Sequence, residues 1–267
     1  MKLEAGILII GSLYWNKDGG REDWREDRLF IDKAKCVRLP IRYGRLSNQC
    51  SGVPKSGTYT MVFADLPPRH FGQAKAVPCR NAVSNIRDLI TEAEWLWAAE
   101  EKKVTCLKDE RRRQAETSRA ICASWGYVAL LVNPALAEDT KKGMAAERLR
   151  KQWAKHVSQP YGKKPERLKS CLVDKRGLLQ ITPWPQIADC EGTLGLDLLL
   201  ATSNCPEPKP PTIKAIVRAW SRDGGEHVDY FWKNYHNGFR TFQDEKIKER
   251  LQELGHPVCD RPAFHPK

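Results

Sequence analysis

Hydrophobic positions along this chain recur with three different rhythms, and each predicts a different element. The first is unbroken. Gly6-Ile7-Leu8-Ile9-Ile10 runs straight into Gly11-Ser12-Leu13-Tyr14-Trp15. An apolar run of this length, rich in β-branched residues and closed by glycine, predicts a buried strand ending in a turn. The second rhythm alternates. In residues 34–47, Val37, Leu39, Ile41 and Tyr43 share one face while Arg38 and Arg42 take the other. That is a half-buried strand, with Pro40 removing a ladder donor and so placing an edge or a bulge. Residues 58–64 and 72–79 read as two further strands. The third rhythm is helical. Ile86, Leu89, Ile90, Ala93, Leu96 and Trp97 predict a helix from about residue 82, capped by Asn81 or Ser84 and running on through Arg119.

The remainder alternates strands, helices and breakers. Residues 16–28 are dense in charge and hold Gly19-Gly20, which predicts a loop with Trp24 packed on the surface. A strand is expected at 126–132 and a helix at 135–156. Residues 158–165 form the clearest linker. Strands are then expected at 170–173, 177–181, 195–201 and 212–217, with the proline cluster of 206–211 as a rigid spacer between the last two. Two helices close the chain, at 227–236 and 241–254. Thr241 caps the second, with Asp244 three residues on and Gly255 and Pro257 as stop signals. The fold class is α+β. The natural division is a core at 1–135 and a strand-and-helix extension at 136–267, packed on the same sheet or standing as a separate module.

Composition narrows the setting. At 267 residues and 41% hydrophobic, the chain can bury a sizeable core. Glu4 precedes an apolar run too short for a signal peptide, and no stretch nears the ~20 apolar residues of a membrane span. A cytoplasmic protein with no membrane partner is expected. The nine cysteines are scattered and include no Cys-x-x-Cys pair, so neither a disulfide framework nor a metal site is expected. His256-x-x-Cys259 lacks a second ligand pair. The net charge of +12 admits nucleic acid or anionic small molecules as partners. No Ser/His/Asp elbow, Walker loop or Gly-x-Gly-x-x-Gly is present, so hydrolase and nucleotide-binding readings through those motifs have no support.

The order of elements in the first hundred residues resembles the gamma-glutamylcyclotransferase-like superfamily. A strand ends in Ile10-Gly11-Ser12-Leu13, an alternating strand carries Val37-Arg38-Leu39-Pro40-Ile41-Arg42-Tyr43, and two strands then lead to a helix with Glu92-Ala93-Glu94. Ile10 stands where the family has Tyr, and Trp95 where Gly commonly follows the catalytic Glu. The resemblance implies a mixed β-sheet or barrel core with flanking helices and a cofactor-independent reaction. In that reaction the α-amine of a gamma-glutamyl group attacks its own γ-amide, giving 5-oxoproline and a free amine. It implies Glu94 as acid/base, with Glu92 as second choice. Trp95 and Trp97 flank Glu94, and such an apolar wall raises a carboxyl pKa. The amides of Gly11, Ser12 and Leu13 are the expected holders of the substrate carboxylate or oxyanion. Tyr14 and Arg38 are the further substrate-binding candidates. The alternative is a basic nucleic-acid-binding or host-defence protein on the same scaffold without catalysis.

Overall fold

A computed structural model describes residues 1–47, 57–104, 127–157, 172–188, 192–204, 206–222 and 227–256. The strands are β1 (Ala5–Ile9), β2 (Lys35–Leu39), β3 (Ile41–Ser47), β4 (Thr58–Phe63), β5 (Gly72–Pro78), β6 (Tyr127–Val132), β7 (Gln186–Ile187) and β8 (Leu198–Ser203). The α-helices among the described residues are α1 (Arg21–Arg28), α2 (Ile86–Glu100), α3 (Thr140–Val157), α4 (Ile213–Trp220), α5 (Val228–His236) and α6 (Asp244–Glu253). The architecture is α+β, and none of these helices is long and apolar enough to cross a membrane.

Six strands form one mixed sheet in the order β6-β8-β1-β5-β2-β7, and β3 pairs with β4 in a separate two-stranded hairpin. Every residue of β1 is buried. Its unbroken apolar run suits a strand covered on both faces. It pairs antiparallel with β5 and parallel with β8, Ala5 opposite Leu198 and Leu8 opposite Ala201. The second half of the chain thus contributes a strand to the middle of the sheet. Pro40 is the corner at which the expected single strand of 34–47 divides, β2 joining the large sheet and β3 the hairpin. Val37, Leu39, Ile41 and Tyr43 are all fully buried, as their alternation requires.

The structure corrects several expectations. Residues 16–28 are not a loop throughout, because α1 occupies 21–28, and Trp24 is 1% exposed rather than on the surface. The inner face of α1 is Arg21, Trp24, Arg25 and Arg28, at helical spacing but three-quarters cationic, so no apolar stripe announces it. Helix α2 starts four residues later than expected. Asn85 is its N-cap, accepting from the amides of Arg87 and Asp88. Residues 212–217 form a helix, α4, capped by the Thr212 hydroxyl on the amide of Ala215. Ile213, Ile216, Val217 and Trp220 stand at i, i+3, i+4 and i+7, the spacing of a helix face. Residues 177–181 make only isolated bridges, Leu130 to Leu178 and Val173 to Leu179. The linker at 158–165, the start of the 170–173 strand and the continuation of α2 to 119 lie outside the described residues.

Candidate functional site

Beyond the carboxyl ends of the parallel pair β1 and β8 lies a cavity of about 320 Å³. Ile10, Gly11, Ser12 and Leu13 form one wall. Here the chain leaves β1 in a tight helical turn, with the Tyr14 amide donating to Gly11 O at 3.0 Å and the Asn16 amide to Ser12 O at 2.8 Å. The first amides of such a turn have no acceptor behind them. Among the described residues, none of the Gly11, Ser12 and Leu13 N–H groups has a hydrogen-bond acceptor. Arg25 holds the turn from below, donating Nη1 to Leu13 O at 2.7 Å and Asn16 O at 2.8 Å. Its burial lowers the guanidinium pKa to about 10.

Among the described residues, two acids line this cavity, Asp229 on α5 beside Lys233 and Glu100, the last residue of α2. Burial raises the Glu100 carboxyl pKa, opposed by the charges of Arg21 and Arg45 and by a hydrogen bond from Asn204. Arg21 is itself buried. It ties the end of α2 in place, donating Nε to Ala99 O at 2.8 Å and Nη2 to Glu100 O at 3.2 Å. Asn204 follows β8, is 9% exposed, and its Oδ1 has no partner among the described residues. Arg45 reaches the cavity through a bulge. The register of β3 on β4 slips between Tyr43 and Arg45, so Arg45 stands opposite Thr60 and Ser47 opposite Thr58, and all four line the cavity.

Helix α5 closes the far side with Tyr230 and Lys233. A Cβ on Gly11 would come 3.1 Å from the Tyr230 hydroxyl, so glycine lets α5 approach the turn this closely. Burial raises the Tyr230 pKa. Trp15 joins the turn to α5 by donating Nε1 to Asn234 Oδ1 at 2.9 Å. Lys233 lies over the Trp15 ring at 5.3 Å and 3.8 Å from Asp229.

Of the residues singled out from sequence, Gly11, Ser12 and Leu13 lie in the cavity wall, and Glu92, Glu94, Tyr14 and Arg38 do not. Glu94 is six residues before Glu100. At about 100° and 1.5 Å per residue it points about 120° away and lies about 9 Å down the axis. It is buried, 7% exposed, and engaged in an interaction of its own. Glu92 forms a forked ion pair with Arg28 and joins α2 to α1. Burial raises its pKa and Arg28 opposes the rise. Tyr14 packs edge-on against Phe239, centroids 5.6 Å apart. Arg38 is exposed on β2 and donates to Pro68 O at 3.2 Å.

Sequence reasoning missed Glu100, Arg21, Arg45, Asn204 and Tyr230. One signal was available for the first. Leu89, Ala93, Leu96 and Glu100 stand at i, i+4, i+7 and i+11, so Glu100 is a carboxylate at the next position of a buried stripe. Compared with protein-family models, with curated proteins and with solved structures, the chain matches none.

Proposed function

We propose that the chain is a cofactor-independent cyclotransferase of gamma-glutamylcyclotransferase-like type, acting on gamma-glutamyl amines or amides, with Glu100 as its acid/base. The observation that carries the reading is the meeting of two things in one cavity: three amides at Gly11, Ser12 and Leu13 that have no acceptor among the described residues, and a carboxyl whose pKa burial has raised.

The reaction needs a proton carrier and a cradle for negative charge. Glu100 as carboxylate takes a proton from the substrate's α-ammonium. The freed amine attacks the γ-carbonyl carbon, forming the ring C–N bond, and the carbonyl oxygen becomes an oxyanion held by the turn amides. Collapse breaks the original amide C–N bond while Glu100 returns the proton to the departing nitrogen. The regenerated Glu100 carboxylate then takes the remaining extra proton from the ring nitrogen and passes it to the released amine, so the products are 5-oxoproline and an ammonium ion, with atoms and charge balanced. Arg45 and Lys233 in the wall suit the substrate's α-carboxylate. A carboxyl raised above its ordinary range is a better match to an amine at neutral pH than an exposed one. Ring closure is unimolecular, so the walls contribute mainly by holding amine and carbonyl together.

The test is release of 5-oxoproline from a panel of gamma-glutamyl amines and amides. Glu100→Gln should lower kcat by about 10²–10⁴-fold with little change in Tm. Glu92→Gln should do the opposite. It should cost roughly 3 kcal/mol of stability by leaving the Arg28 charge unpaired, while folded protein keeps its kcat. No release from any member of the panel, or equal loss in both variants at matched folded fraction, would sink the assignment.

A further inference from the structure

The β3–β4 hairpin has a second face, and the cyclisation reading makes no use of it. Arg45, Ser47, Thr58 and Thr60 face the cavity. Leu46 and Tyr59, opposite each other in the ladder, point to the other side because strand side chains alternate. There they form one wall of a separate groove of about 390 Å³. The other wall is α4, with Lys214 and Arg218 above the small residues Ala215 and Ala219, and Arg222 just past the helix end.

The chemistry of this groove is one-sided. Among the described residues, three that line it are cationic and none is acidic. Glu207 is the carboxylate felt nearby. Burial and then its charge raise the Tyr59 hydroxyl pKa. Lys214 and Arg218 are exposed and make no ion pair among the described residues. They lie one helical turn apart, about 6 Å along the axis, and Arg222 continues the row.

We propose that this groove binds single-stranded nucleic acid, seating successive phosphates on Lys214, Arg218 and Arg222 and a base against the Tyr59 ring. A row of cations a turn apart suits the spaced phosphates of a phosphodiester chain. The phosphates of a nucleoside triphosphate share bridging oxygens and crowd together, so they cannot follow the row. A duplex hides the faces of its bases, whereas a single strand offers them to an aromatic wall. An acidic peptide would meet the cations but has nothing flat to lay on Tyr59.

The experiment is fluorescence anisotropy of labelled oligouridylate and oligothymidylate of about 12 nucleotides, longer than the row of three cations. The full chain is titrated across a series of salt concentrations. Binding should weaken with salt, and Lys214→Ala/Arg218→Ala should reduce the slope of log K against log salt by about 1.4, the loss of two phosphate contacts on a single strand. Tyr59→Leu should weaken binding roughly tenfold with the slope unchanged, since stacking carries no counterion. Arg148→Ala/Lys246→Ala, which removes two exposed cations elsewhere, should leave both affinity and slope alone. Thermal melts confirm that each variant is folded. The proposal is overturned by absence of binding at the lowest salt or by an equal loss of slope in the Arg148/Lys246 pair. It is also overturned if ATP or polyglutamate displaces the strand at equal charge.

Discussion

Glu92 and Glu100 ride the same helix, and their surroundings give the two carboxylates different work. Glu92 faces Arg28, which neutralises it and spends it on joining two helices. Glu100 ends the helix in the wall of the cavity that Gly11, Ser12 and Leu13 also line, with its pKa raised by burial. The rate of the proposed reaction should therefore fall at acid pH with a midpoint above the ~4.3 of an ordinary glutamate, as the base takes up its proton. A pH profile with its acid limb at an ordinary carboxylate value would argue against Glu100. Asp244 supplies a prediction for stability. Burial pushes its carboxyl up to about 7, against hydrogen bonds from Thr241 and the Arg240 charge. A carboxyl with a folded pKa above its unfolded value of about 3.9 binds its proton more tightly in the fold. Its contribution is complete below about pH 4 and is lost as pH rises to about 7. Asp244→Asn keeps an acceptor for the Thr241 hydroxyl. It should raise stability at pH 8 by on the order of 3 kcal/mol and leave it unchanged at pH 4, measured by denaturant melts at both pH values.

At the scale of the element, legibility followed the kind of residue that each element buries. β1 buries only apolar residues, so its apolar run showed it plainly. α1 buries two arginines, Arg21 and Arg25, beside Trp24, with Arg28 half-buried, and reads as loop by hydrophobicity, because the partners of those arginines are carbonyls and Glu92 outside the helix. α4 carries a helix face, but Ile, Val and Thr suit strands equally well, and a short β-branched run does not decide between periods 2 and 3.6. Packing decides it. Trp220 is fully buried at the end of α4 and meets Tyr43 edge-on, centroids 4.9 Å apart. Trp220→Ala should cost about 3–5 kcal/mol and loosen the wall that α4 lends to the basic groove. A drop in Tm of less than a degree or two would show that α4 is held by something else.

At the scale of the whole molecule, β8 governs both fold and cavity. It lies between β1 and β6, so the two halves of the chain share one sheet. A fragment of residues 1–135 would lack the strand between β1 and β6, leaving backbone donors and acceptors of both strands exposed. That fragment should be aggregated or molten by circular dichroism and size exclusion, and a cooperative melt from it would contradict this account. The cavity is equally non-local. The turn after β1, the end of α2, the bulged β3 and Asn204 after β8 come together only in the closed fold, and α5 seals them. By itself the sequence determined the buried first strand, the Gly11-Ser12 turn, the α+β class and the apolar stripe of α2, because local periodicity reports burial directly. The tertiary structure alone decided which glutamate shares a cavity with that turn, that arginines line the inner face of α1, and that β8 enters the middle of the sheet. Each of those depends on a partner contributed from far along the chain, and no local pattern encodes the partner.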